Sequence, residues 1–82
     1  MLNYEQIELA MKVLKVSEDE IREYSFDLDN TDAVYISIPK KGGDSLIIST
    51  NGELLYANSS VSFDTHLKEF LAGRRTPLNA FE

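Results

Sequence analysis

The sequence predicts an α+β domain of two layers, in which one antiparallel sheet carries an N-terminal and a C-terminal helix on a single face. Apolar residues recur at helical spacing near both ends of the chain, whereas the runs between about 24 and 58 alternate apolar and polar residues as strands do. The Asn51-Gly52 dipeptide between two such runs is typical of a β-hairpin turn. The predicted order is therefore α-β-β-β-β-α, with three strands instead of four if the first one stays outside the sheet.

The first helix is predicted over residues 2–16. Its apolar positions are Ile7, Ala10, Met11 and Leu14, with Leu9, Val13 and Val16 beside them. Such a wide apolar arc indicates a helix with two neighbours: the sheet on one side, and the last helix or a second subunit on the other. Ser17 and Glu20 then have the spacing of a capping box, which predicts a short second helical turn up to Glu23.

The β-hairpin at Asn51-Gly52 is the best-defined part of the predicted sheet. A two-residue turn pairs Ile47 with Tyr56 and assigns one face, the core side, to four residues. Those residues are Leu46, Ile48, Leu55 and Ala57. The preceding strand, 33–38, pairs Tyr35 with Ile47 through the loop 39–43, so that its β-branched residues lie on the same core side.

The strand over 24–28 is the least certain in its pairing. We expect the loop that joins this strand to the next one to have an odd length, three or five residues, with Asn30 left-handed, because that length places Phe26 on the core side. The last helix is predicted over 63–72, with Ser60 or Ser62 as its N-cap and Gly73 at its end. One domain is expected over residues 1–82, and the segment 76–82 either docks on it or frays.

Composition and charge narrow the function classes. The chain has 82 residues and no cysteine, which excludes disulfides, thiol nucleophiles and thiolate metal sites and fits a cytoplasmic protein. The formal charge of −6 opposes nucleic-acid binding, and no apolar run is long enough to span a membrane. The segment 18–32 alone carries this net charge. Its acids are Glu18, Asp19, Glu20, Glu23, Asp27, Asp29 and Asp32.

No motif in the sequence indicates catalysis, a metal or a cofactor. His66 is the single histidine, without a predictable partner, and we expect it at the surface or boundary of the last helix. The turn 27–32 resembles the start of a calcium loop but has Asp32 where that loop needs glycine. The loop 40–43 has two lysines and two glycines but lacks the frame of a phosphate-binding loop. We interpret Arg74 and Arg75 as positive charges that stabilise the carbonyl end of the last helix.

Two surface features are candidates for partner binding. The predicted register aligns Tyr35, Ile47 and Tyr56 across three strands on the face away from the helices, with Leu54 diagonal to them. An open, tyrosine-rich row of this kind is typical of a protein-binding surface. The acidic residues of 18–32 favour a basic partner by electrostatic steering.

The sequence therefore favours a small, cytoplasmic, non-enzymatic domain that binds a protein partner, or a second copy of itself, through the sheet face. One alternative is an acidic inhibitor or immunity-type protein that neutralises a basic toxin or nuclease. A second alternative is a module that binds a small molecule or a divalent ion. No nucleic acid, membrane, cofactor or obligatory small molecule is expected.

Overall fold

A computed structural model describes residues 2–29, 31–39 and 43–77. The elements along the chain are α1 (Tyr4–Leu14), α2 (Glu18–Glu23), β1 (Ser25–Asp27), β2 (Val34–Ile38), β3 (Asp44–Ile48), β4 (Leu54–Ala57) and α3 (Phe63–Leu71). The four strands form one antiparallel sheet in the order β1-β2-β3-β4. This confirms the predicted α+β class, the four-stranded meander and the position of a helix at each end.

The helix boundaries follow from side-chain caps. Asn3 accepts a hydrogen bond from the Gln6 backbone N–H at 2.8 Å, and the Asn3 backbone N–H donates to Gln6 Oε1 at 2.8 Å. This capping box starts α1 later than predicted, and Lys15 ends it with a left-handed φ of 58°. Ser17 caps α2 as predicted, and Ser62, one of the two predicted candidates, caps α3. Among the described helices, none has the length and apolarity needed to cross a bilayer.

The pairing of β2 with β3 follows the predicted register. Tyr35 lies opposite Ile47, Ile36 opposite Leu46, and Ile38 opposite Asp44. The alternation of β-branched and smaller residues fixes this register because Ile36 and Leu46 both become fully buried on one face.

The pairing of β3 with β4 differs from the prediction by one residue. Ile48 lies opposite Leu54, and Ile47 opposite Leu55. The turn is a three-residue loop: the Ser49 N–H donates to the Glu53 carbonyl at 2.8 Å, and Gly52 alone in the loop has a positive φ, of 90°. The predicted two-residue turn is therefore wrong, and because side chains alternate along a strand, every residue of β4 lies on the face opposite to the predicted one.

The predicted odd length of the loop between β1 and β2 is also wrong. The Leu28 N–H donates to the Ala33 carbonyl at 3.1 Å, which leaves four residues between them, and Phe26 pairs with Tyr35. Phe26 thus lies on the face of Tyr35 and not on that of Val34. The predicted conformation of Asn30 lies outside the described residues.

These differences share one cause: both faces of the sheet are covered. The first core cluster joins α1 and α2 to one face, and it comprises Ile7, Ala10, Val13, Leu14, Ile21, Val34, Ile36, Ile38, Leu46, Ile48 and Leu54. The second joins α3 to the other face, and its buried members are Leu28, Ala33, Ile47 and Phe70. The helices therefore lie on opposite faces, and the predicted two-layer arrangement with both on one face is wrong.

Candidate functional site

The structure does not bring the predicted sheet-face row together on an open surface. Ile47 is fully buried beneath α3, and Leu54 is 1% exposed in the core beneath α1. Tyr56 lies opposite Leu46 and packs on the α1 side, whereas Tyr35 lies on the α3 side. The predicted row is therefore split between the two covered faces of the sheet, with Tyr35 and Ile47 on the α3 side and Leu54 and Tyr56 on the α1 side.

An aromatic cluster of Phe26, Tyr35 and Phe63 lies at the β1 side of the α3 face. Phe26 and Tyr35 meet edge to face with ring centroids 5.5 Å apart, and Tyr35 and Phe63 do so at 4.7 Å. The Phe26 and Phe63 centroids are 5.9 Å apart. Tyr35 and Phe63 are half-buried, but Phe26 is 52% exposed. The cluster thus holds one large apolar ring in a fixed position at the edge of the sheet, open to solvent.

The acidic residues predicted as a surface follow this same edge. Glu18, Asp19, Glu20 and Glu23 lie on α2, Asp27 on β1, and Asp29 and Asp32 in the following turn. All are exposed except Glu20, which is half-buried. Because α2 leads directly into the terminal strand of the sheet, these residues form one band, the acidic band, along the edge that carries Phe26.

Glu18 and Asp32 are among the residues of the acidic band whose side chains are held by contacts. Glu18 accepts a hydrogen bond from Arg22 Nε at 2.9 Å, an ion pair exposed on the helix surface. Asp32 accepts one from the Thr50 hydroxyl at 2.6 Å, which ties the β1–β2 turn to the β-hairpin. Arg22 is the only cation among residues 18–32, so the band keeps its formal charge of −6.

A shallow groove runs beside Phe26 along the terminal strand. It has a volume of about 250 Å³ and is lined by Leu2, Arg22, Ser25, Phe26 and Asp27. The groove therefore combines apolar walls with one cation and one acid. It adjoins the acidic band.

His66 lies in the interior, and its predicted place at the helix surface or boundary is wrong. It is 1% exposed between α3 and the sheet. Its Nε2 lies 2.7 Å from the Leu55 carbonyl oxygen, so Nε2 carries the proton and donates it. Nδ1 lies 3.3 Å from the hydroxyl of Ser45, which is 3% exposed and donates in return. Burial lowers the pKa of His66, and the bond to Leu55 opposes that effect.

The Ser45–His66 pair is a satisfied buried pair and not a nucleophile with its base. Catalytic pairs of this type need a third group that orients the imidazole and an open side from which substrate approaches. Here the second imidazole nitrogen is held by a backbone carbonyl, and both side chains are sealed between α3 and the sheet. The pair instead supplies partners to polar atoms within the second core cluster.

The remaining predicted features have structural roles where they are described. Arg75 donates to the Phe70 carbonyl at the end of α3 at 2.8 Å, and Arg74 lies 3.3 Å from Glu69. Within the described residues, no three His, Asp or Glu side chains converge as metal ligands. Lys40 and the two residues after it lie outside those residues.

Sequence reasoning missed Phe26 as a surface residue because it expected that side chain in the core. The spacing between Leu28 and Ala33 allows a four-residue loop, which is the loop observed. It also missed Gln6, which is fully buried and donates from Nε2 to the Ile48 carbonyl at 3.0 Å.

Scans of family models, curated proteins and solved structures found none that matches this chain. The candidate site is therefore defined by its own geometry: an exposed phenylalanine, braced by two aromatic rings, at the acidic edge of the sheet.

Proposed function

We propose that this chain is a small, non-enzymatic, cytoplasmic domain that binds a basic protein at the β1 edge. The supporting observation is Phe26, a large apolar side chain that is 52% exposed yet held by contacts with Tyr35 and Phe63. Rigid aromatic side chains at the centre of an interface contribute much of the binding free energy. An already ordered ring also loses little conformational entropy on binding.

The charge of the edge supports the choice of partner. The acidic band places a net charge of −6 on the α2 and β1 side, while the charges in the rest of the chain sum to zero. Such a field speeds encounter with a basic surface and opposes acidic ones. The face of Phe26 can also receive an arginine or lysine of the partner as a cation–π contact.

The acidic-inhibitor alternative is a special case of this proposal. If the basic surface of the partner is the working cleft of a toxin or nuclease, the acidic band occupies it in place of nucleic acid phosphates. The exposure of six of the seven acids favours this form. If the acidic-inhibitor alternative is correct, complex formation abolishes the activity of the partner. The general proposal does not require this loss.

A photo-crosslinker placed at Phe26 in the native cell tests the proposal. The matched control carries the same crosslinker at Leu71, which is 62% exposed on α3 and away from the acidic band. We expect a basic protein linked to position 26 and absent at position 71. The same proteins at both positions, or an acidic partner at position 26, would contradict the proposal.

The captured partner then permits a charge-matched comparison. Glu23→Gln with Asp29→Asn removes two charges from the acidic band, and Glu53→Gln with Glu69→Gln removes two that lie beside Arg75 and Arg74. We expect the first pair to weaken binding by about tenfold at low salt and the second pair to change it little. Equal effects of the two pairs would show that only the overall charge matters.

A further inference from the structure

His66 is a buried ionisable group at the contact between α3 and the sheet. Its Nε2 lies 2.7 Å from the Leu55 carbonyl oxygen of β4, and its Nδ1 lies 3.3 Å from the Ser45 hydroxyl of β3. The imidazole also meets the Tyr35 ring of β2 edge to face, with centroids 5.9 Å apart. This one side chain therefore joins α3 to three strands of the sheet.

The two hydrogen bonds of His66 fit the neutral imidazole and not the charged one. In the neutral form Nε2 donates to the Leu55 carbonyl, while Nδ1 accepts from the Ser45 hydroxyl. Protonation makes Nδ1 a second donor, so the Ser45 hydroxyl must direct its own hydrogen elsewhere. Its other described acceptor is the Ala57 carbonyl oxygen, 3.5 Å away and too far for a strong bond.

No described carboxylate offers the charged imidazole an ion pair, because its described hydrogen-bond partners are Ser45 and Leu55. The titratable and charged groups on the surrounding elements are Asp27 on β1, Tyr35 on β2, Asp44 on β3, Glu53 and Tyr56 at β4, Asp64, Lys68 and Glu69 on α3, and Arg74 and Arg75 after it. Glu69 and Glu53 lie beside Arg74 and Arg75, at 3.3 Å and 3.4 Å. A buried charge without an opposite charge is costly, so protonation opposes the closed position of α3.

The apolar contact that holds α3 is smaller than the one that holds α1. Phe70 is buried on the sheet, whereas Phe63 and Leu67 are half-buried and Leu71 is 62% exposed. α1 contributes four buried apolar residues to the first core cluster, Ile7, Ala10, Val13 and Leu14. The described members of that cluster include none from α3. The contact of α3 can therefore open while the opposite face of the sheet stays packed.

We propose that α3 is a pH-sensitive cover of the sheet: protonation of His66 releases α3 as a unit, while α1 and α2 stay packed on the opposite face. The imidazole then returns to water, and the sheet face that contains Ile47 becomes accessible. Phe63 leaves the aromatic cluster together with α3, so Phe26 loses one of the two rings that hold it. The proposal does not depend on partner binding at Phe26.

Amide hydrogen exchange of the full chain tests the proposal, measured by NMR above and below pH 6.5 and corrected for the intrinsic effect of pH on exchange. Release of α3 moves His66 from a buried site that lowers its pKa into water, where the ordinary value of 6.5 applies. We expect the protection of α3 amides to fall about tenfold for each pH unit below 6.5, until the closed form is itself protonated. Protection of α3 that does not change with pH would overturn the proposal.

A comparison of the two terminal helices shows whether α3 opens alone. Global unfolding also exposes His66 and is favoured by acid in the same way, so the change with pH does not distinguish it from local release. Below pH 6.5 we expect the amides of α3 to be at least about tenfold less protected than those of α1. Equal protection of α1 and α3 would show one cooperative unfolding and overturn the proposal.

His66→Gln assigns the effect to the imidazole, because glutamine does not titrate. The pH dependence of α3 protection should disappear in this variant and persist in Lys68→Gln, which changes an exposed charge on the same helix. A dependence in His66→Gln as steep as in the unchanged chain would overturn the proposal.

The unchanged chain decides if His66→Gln does not fold. The fall in α3 protection should then level off at the pH at which the NMR signals of the imidazole titrate, since the closed and released forms are both protonated below it. A fall that continues unchanged below that pH would assign the effect to another group and overturn the proposal.

Discussion

The ring of Phe26 meets the ring of Tyr35 edge to face across β1 and β2, with the two planes at 81°. This contact exists because the β1–β2 loop sets the two residues directly opposite each other. The contact with Tyr35 orders the exposed Phe26 side chain, although β1 is an edge strand of only three residues.

A double-mutant cycle measures how firmly this contact holds the exposed ring. We expect Phe26→Ala and Tyr35→Ala to show a coupling of about 0.5–1.5 kcal/mol in the free energy of unfolding, the range for paired aromatic rings. Urea unfolding of the single and double variants provides the values. Additive effects of the two substitutions would show that Phe26 is not braced by Tyr35.

Gly52 tests the three-residue turn of the β-hairpin. Gly52→Ala should destabilise the fold by about 1–2 kcal/mol because of its positive φ, and its new Cβ would lie 3.3 Å from Glu5 and Leu9 side-chain atoms. Gly73→Ala is the matched control, since its φ is 96° but nothing lies within 4 Å of the added atom. We expect thermal unfolding to show the larger loss for Gly52→Ala, and the opposite order would contradict the packing of α1 on this turn.

Gln6 links the cap of α1 to the sheet. Gln6→Leu leaves the Ile48 carbonyl and the Asn3 N–H without their side-chain partner, so the free energy of unfolding should fall by about 1–3 kcal/mol. Glu8→Leu, at an exposed position of the same helix, should change it by less than about 0.5 kcal/mol. Chemical unfolding of the two variants checks this difference, and equal losses would remove the special role of Gln6.

His66 gives the fold a dependence on pH. Burial lowers the pKa of the imidazole in the folded state below its ordinary value of 6.5, so folding favours the neutral form. The stability that this neutral form contributes is complete above pH 6.5 and is lost as the pH falls through the lowered folded pKa. Unfolding free energies should therefore decline as the pH falls below about 6.5.

His66→Gln supplies the control for this pH effect. Glutamine keeps a donor for the Leu55 carbonyl but does not titrate, so the part of the decline that is due to His66 should disappear. Parallel pH profiles for the two proteins would show that His66 does not set the dependence, whatever the absolute stability of the variant.

Local patterns predicted the elements well because their causes are local. Ser17 and Ser62 cap the helices at the predicted places, and the alternation in β2 and β3 selects their register, in which Tyr35 faces Ile47. These features depend on hydrogen bonds and periodicity within a few residues. The sequence contains that information directly.

The faces of the sheet could not be assigned with the same certainty. Asn51-Gly52 indicates a turn but does not distinguish two loop residues from three, and a difference of one residue reverses every side chain of β4. The number of loop residues depends on α3, because the apolar side of that helix packs on the sheet face that contains Ile47. A covered face and an open binding face show the same alternation of apolar and polar residues. The exposure of Phe26 can therefore be recognised only from the positions of both helices.

The position of α3 has a consequence for synthesis on the ribosome. Ile47 and its neighbours on that face have no cover until the chain has grown beyond Phe70, some twenty residues later than Ile47 itself. A nascent chain halted in the loop after β4 would expose the apolar face of its strands to solvent. This face is protected from aggregation only after α3 has been synthesised and has packed on it.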